Sequence, residues 1–243
     1  MGVCALLGLA GCDVLFHLDE VPLPSDASGS GGHCTEAPRQ DVPGVVSTAN
    51  SLHMMFTDTE PGNTLVLITA TATSSTNVET ITDSAGQKWA HQITLRNAVA
   101  NSTAALDVFY IANSASIASL DAALPPGTSK SIAANLTEWR CPAMVPFDGA
   151  GSDPGATSTD TTSGSVTTTG DDLVIGAVVF SDAQGVVSEP TPAKFTPLTA
   201  FATASQTGAR AAYAFRPAGT YQVQWTLAAP LEWVGGIIAF KTR

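Results

Sequence analysis

From Thr220 to Leu227 the chain alternates strictly, with Tyr221, Val223, Trp225 and Leu227 on one face and Gln222, Gln224 and Thr226 on the other. Only an extended strand sends successive side chains to opposite faces, so this stretch reads as a strand with one dry and one wet side. From Gly44 onward the same vocabulary recurs. Short runs of Thr, Val, Ile and Ala are broken by Gly, Pro, Asn and Asp about every ten residues, the spacing of a sandwich or barrel. The runs predict strands over Thr64–Thr73, Val78–Asp83, Lys88–Leu95, Thr103–Ala112, Ser131–Trp139, Ser163–Thr169, Asp172–Ser181, Ala193–Phe201 and Ala209–Arg216. A last strand, Glu232–Lys241, is apolar on both faces and belongs in the middle of a sheet. Asp83-Ser84-Ala85-Gly86 reads as a tight turn in which glycine supplies a positive φ. Helical periodicity is nearly absent. The fold expected is an all-β, jelly-roll-like antiparallel sandwich of about ten to eleven strands over 45–243.

Composition sets the boundaries of function. Of 243 residues, 44% are apolar, which excludes disorder of the whole chain. Runs of roughly 18 apolar residues, the length that crosses a bilayer, are missing. The formal charge of -11 argues against nucleic acid, whose phosphates require a basic face.

The chain opens with a short apolar stretch ending in Leu9-Ala10-Gly11-Cys12. This tetrapeptide resembles a bacterial lipobox. The resemblance implies a signal peptide over 1–11, cleavage before Cys12 and lipidation of that cysteine. Acyl chains contribute roughly 0.8 kcal/mol per buried methylene, so two or three of them hold a protein on a membrane. The segment lacks the Lys or Arg of an ordinary export signal, and a start upstream of Met1 would supply it. The competing reading makes Cys12 an apolar residue of an N-terminal strand. Over 12–44, Pro22, Pro24, Pro38 and Pro43 sit among Ser25, Ser28, Gly29, Ser30, Gly31 and Gly32, the composition of a flexible tether. The expected address is the bacterial cell envelope, lipid-anchored, periplasmic or surface-exposed.

With Cys4 in the signal and Cys12 lipidated, Cys34 and Cys141 form an even pair, and in an exported chain that favours a disulfide. Closing so long a loop is worth roughly 4 kcal/mol in the chain-entropy picture. A metal site is the alternative, with His33 as the only neighbouring ligand type.

The two halves resemble each other. Leu65-Val66-Leu67-Ile68 matches Leu173-Val174-Ile175-Gly176, and Leu106-Asp107-Val108-Phe109-Tyr110 matches Ala211-Ala212-Tyr213-Ala214-Phe215. Two such Greek-key halves would make one jelly roll. Gly62-Asn63-Thr64-Leu65-Val66, Ile81-Thr82-Asp83-Ser84-Ala85-Gly86-Gln87, Val108-Phe109-Tyr110, Glu138-Trp139-Arg140-Cys141 and the span Trp233 to Phe240 together resemble a recurrent class of bacterial exported jelly-roll domains. That resemblance implies a fold and carries no agreed activity. Cys141 departs from it, standing where glycine is usual.

Chemistry is sparse. Ser165 lacks the Gly-x-Ser-x-Gly setting of a hydrolase nucleophile, and the four histidines show no metal spacing. A jelly-roll glycosidase would need two facing carboxylates. Glu138 is the best single candidate, and a turn or edge role is the competing reading. Asp148, Asp153 and Asp160 lie in an expected long loop, Pro142–Thr162, and offer oxygen ligands for calcium without a fixed spacing. No cofactor is implied otherwise. Aromatic rings are the usual handle of sugar-binding sandwiches. Trp225 and Trp233 read as core, while Trp89 and Trp139 sit at strand ends and are the candidate ligand platforms, with Glu138 beside Trp139. The expected function is therefore a displayed binding module for a glycan or another surface ligand. The alternatives are a ligand-free structural component and a carbohydrate-active hydrolase.

Overall fold

A computed structural model describes residues 37–46, 50–72, 76–97, 104–128, 130–183, 185, 187–203 and 206–242. The signal, Cys12, most of the expected tether and Cys34 lie outside the described residues. Residues 34–243 form one compact unit.

The first half supplies eight strands: β1 (Gln40–Val46), β2 (Ser51–Met55), β3 (Thr64–Thr71), β4 (Thr80–Asp83), β5 (Ala90–Arg96), β6 (Ala105–Ile111), β7 (Ser119–Ala123) and β8 (Ile132–Trp139). They form one sheet in the order β1-β8-β3-β6-β5 and a second in the order β2-β7-β4. All these pairings are antiparallel. Strand one beside eight, eight beside three, three beside six and two beside seven is the connectivity of a jelly roll. One strand departs. A closed roll would carry β5 beside β4, but here β5 pairs with β6 and extends the larger sheet.

The second half repeats the plan with β9 (Pro142–Asp153), β10 (Thr157–Thr162), β11 (Val166–Thr168), β12 (Asp172–Phe180), β13 (Thr196–Pro197), β14 (Phe201–Ala202), β15 (Gly208–Arg216), β16 (Gly219–Tyr221) and β17 (Gln224–Thr242). Here β17 lies between β9 and β12, β12 pairs with β15, and β11 pairs with β16. Strands β9, β11, β12, β15, β16 and β17 thus hold the places of β1, β2, β3, β6, β7 and β8. The short β13 and β14 flank β15 as β5 flanks β6. Strand β10 is an addition that pairs with the first half of β17.

Burial explains how the layers stack. Successive residues of β3 point to opposite faces. Leu65 and Leu67 pack with Leu52, Met54, Leu120 and Ala122 inside the first roll. Val66 and Ile68 join Leu106, Val108, Leu173, Ile175, Ile238 and Phe240 in a core shared by the two large sheets. A third core inside the second roll holds Val166, Val174, Val178, Val223, Trp225 and Ile237. Three stacked cores require β3 and β12 to be apolar on both faces, and every residue of both strands is buried.

The all-β antiparallel sandwich is the fold the alternation predicts. The expected ten to eleven strands become 17 among the described residues. Each half forms its own roll-ordered pair of sheets, where two halves were expected to share one roll. The expected loop Pro142–Thr162 is strand β9 and β10. The strand expected at Ala193–Phe201 is reduced to the two-residue β13 and the start of β14. Strand β1 starts within the expected tether, at Gln40, and runs past its expected end at residue 44. It is an edge strand pairing only with β8, the setting in which a sheet tolerates Pro43.

Candidate functional site

The structure removes two of the three residues that the sequence singled out. Trp139 is 1% exposed. Its Nε1–H donates to Thr137 Oγ1 at 2.8 Å, and its ring packs edge-on against Tyr213 and Phe215 in the shared core. Glu138, adjacent in β8, is 0% exposed. Oε1 accepts from the Glu60 backbone N–H and Asn63 Nδ2, both at 2.7 Å, and Oε2 accepts from Arg39 Nη1 at 2.9 Å and Gln40 Nε2 at 2.8 Å. Burial alone would raise its pKa, but these four donors outweigh burial and hold the carboxyl below the ordinary glutamate range. A carboxylate with its lone pairs filled ties β1 to β8 and to the Glu60 turn. It has no face left for a substrate.

Trp89 is 8% exposed and donates Nε1–H to Asp83 Oδ2 at 2.9 Å. Asp83 organises the turn foreseen from the sequence. Its Oδ1 accepts from the backbone N–H groups of Ala85 and Gln87, and Gly86 adopts φ +68°. That turn does not close a hairpin, because the strands it joins belong to different sheets. The seam between β4 and β5, left open by the displacement of β5, is a groove of about 410 Å³. Glu79, Thr80, Ile81, Gln87, Lys88, Trp89, His91 and Phe109 line it.

At this seam stands a side chain that sequence reasoning missed. His91 stacks on Phe109, with ring centroids 4.0 Å apart and planes 19° from parallel. Its Nε2 lies 2.9 Å from Oδ1 of Asp107, a carboxylate that is 0% exposed on β6. Thr94 Oγ1 donates to the same Oδ1 at 2.7 Å, as does Asn77 Nδ2 at 2.9 Å, while the Val78 backbone N–H donates to Oδ2 at 3.0 Å. Asn77 Oδ1 in turn accepts from Arg96 Nε. A carboxylate at Nε2 favours the tautomer with its hydrogen there and leaves Nδ1 as an acceptor. The ring is thus held in place by Phe109, Asp107 and Thr94, yet it stays a third exposed. Beside it, Lys88 supplies a cation, Glu79 an anion and Gln87 an amide. The arrangement can donate and accept hydrogen bonds against an aromatic wall. The available signal was Asp107: an acid inside the apolar run Leu106-Asp107-Val108-Phe109 has to be paired when buried.

The remaining candidates are dispersed. Asp148 is bound by Thr169 and Lys241, and Asp153 Oδ1 accepts from the Gly155 N–H. Asp160 lies in a separate groove with Thr162, Thr191, Gln224 and Thr226. Among the described residues no group of three His, Cys, Asp or Glu side chains is placed to hold a metal ion. Cys141 is buried. Comparison with family models, curated proteins and solved structures gave no match.

Proposed function

We propose that the chain is a lipid-anchored cell-envelope protein that displays a binding module, and that the seam groove of the first roll is its glycan site. The single observation that carries the reading is His91, fixed by the buried Asp107 and stacked on Phe109, in an open groove beside Glu79, Gln87 and Lys88. Polyhydroxylated ligands need both donors and acceptors held in place, and pre-ordering these side chains lowers the entropy cost of binding. The lipobox-like Leu9-Ala10-Gly11-Cys12 supports display at a membrane surface, and mass spectrometry of the envelope fraction would find Cys12 acylated. A Cys34–Cys141 bridge is part of the same proposal. Its support is that Cys34 and Cys141 remain as an even pair in a chain read as exported, and comparing digested peptides with and without reductant tests it.

A glycan array with the wild type, His91→Ala, Lys88→Ala and Asp160→Ala tests the site. The wild type should bind, the first two variants should lose at least about tenfold in affinity, which corresponds to 1.4 kcal/mol, and Asp160→Ala should bind like wild type. Binding that survives both His91→Ala and Lys88→Ala would remove the groove from the account. A ligand-free structural component is the second reading, favoured by the burial of Trp139 and of most of Trp89. A wild type that binds nothing on the array decides for it.

A further inference from the structure

On the second roll, independently of the groove, Asp172 opens β12 and is 1% exposed. Neither of its carboxyl oxygens receives a hydrogen bond from a donor. A buried carboxylate without donors is costly, and the group escapes that cost by keeping its proton and donating it. Asp148 on β9 is placed to accept it: Lys241, the register partner of Asp172 on β17, brings its Nζ to 3.2 Å from Asp148 Oδ1, and each carboxyl shifts the other. Asp148 is equipped to be the anion. The Thr169 N–H donates to it at 2.7 Å, the Thr169 hydroxyl at 2.9 Å, and Lys241 Nζ of β17 lies 3.2 Å away.

Two further charged residues neighbour Asp172, one in sequence and one in register. Asp171 precedes β12, and its carbonyl accepts from the Thr242 N–H and hydroxyl at the end of β17. Arg216 is the register partner of Asp172 on β15, with its guanidinium over Phe195 at 5.0 Å and Tyr221 at 5.9 Å. The two carboxyls therefore meet where β9, the β11–β12 connection, β12 and β17 converge.

We propose that Asp148 and Asp172 form a proton-dependent clip that holds the Asp148 segment of β9 and the end of β17 against β12, closed while Asp172 keeps its proton and loosened once that proton leaves. The electrostatics agree. Burial first, and then the neighbouring Asp148, push Asp172 up to about 7. Burial acts against Asp148 too, but its donors hold it down at about 2. The sign follows from linkage. An opened strand end, with aspartate near 3.8, gives up the proton that the closed clip retains, so closure is strongest near pH 4. It weakens as pH rises, by up to about tenfold per unit, and levels off above pH 7.

Amide hydrogen exchange on the full chain, expressed as protection factors at pH 4.5 and 7.5, tests this with the wild type and Asp172→Asn. In the wild type, Phe147–Asp153 and Ile238–Thr242 should lose at least about tenfold in protection across that range. In Asp172→Asn the amide donates to Asp148 without titrating, so protection there should change less than about twofold. Amides of β3 and β8 should stay level in both proteins. Constant protection of β9 in the wild type, or an equal loss in the variant, overturns the proposal. If the variant fails to fold, carboxyl-carbon NMR of the wild type decides: an Asp172 midpoint near 7 supports the clip, and one below 5 overturns it.

Discussion

At the residue scale, the informative side chains are polar groups that the fold has buried. Glu138 was a candidate acid because it stood beside a tryptophan at a strand end. Its four donors arrive from Arg39, Gln40, Glu60 and Asn63, far away in sequence, and no spacing rule could have brought them together. Glu138→Ala removes the acceptor of the Glu60 N–H and of the buried Asn63 amide, while Arg39 keeps its pair with Glu60, so the variant should destabilise the protein by about 1–3 kcal/mol in denaturant unfolding. The depressed carboxyl adds a pH signature. Its contribution is present above the ordinary glutamate range and is lost as pH falls through the depressed value, so the gap between wild type and variant should narrow in acid. An unchanged gap would mean that the anion is not what those donors hold. Trp139 was unreadable for a related reason: a strand-end position says nothing about what packs over it, and here Tyr213 and Phe215 of β15 do. Asp107 was legible in principle and His91 was not, because only the register of β5 on β6 brings them together.

At the element scale, the alternation read as one strand over Thr220–Leu227 is divided between the end of β16 and the start of β17, and the apolar run Glu232–Lys241 is the second half of that same 19-residue β17. The first half pairs with β10 and the second with β9 and β12. The exposed Ala228-Ala229-Pro230 stretch between them reads as a break, which hid the continuity. The internal repeat was legible at the level of elements, with the β6/β15 match in step and the β3/β12 match slipped by one residue in register. Leu65 faces the first roll's own core, while Leu173, matched to it by sequence, faces the core shared by both rolls. In a strand that is apolar on both faces, composition does not fix which face is which. Gly235 marks where β17 passes under the backbone at Thr162. A Cβ there would sit 1.9 Å from the Thr162 carbonyl oxygen. Gly235→Ala should therefore cost about 3 kcal/mol, the upper end of overpacking penalties. At the next residue a Cβ would meet the ends of Leu106 and Ile93 at 3.0 Å and 3.1 Å, side chains that can shift. Gly236→Ala should stay under about 1.5 kcal/mol. Chemical denaturation of both variants checks the contrast, and equal costs would show that side-chain crowding, not the backbone crossing, limits this site.

At the scale of the whole molecule, two roll-ordered halves share the core built on Val66, Ile68, Leu106, Ile175, Ile238 and Phe240. Neither half can bury that face alone, so the described unit is one scaffold with two seams of different character. The fold class followed from a period of two and from turn residues, which are local signals. The number of rolls, the displaced β5 and the groove it opens depend on which edges pair, and pairing is non-local. The binding proposal rests on that displacement, since a roll with β5 beside β4 would close the seam over His91. Mapping amide chemical shifts of the labelled protein during titration with soluble envelope polysaccharide fragments tests this most directly. The account predicts changes concentrated at Glu79–Ile81, Gln87–His91 and Phe109, saturable and abolished by His91→Ala. Shifts clustered on the second roll around Asp160 and Gln224, or a spectrum that never moves, would contradict it.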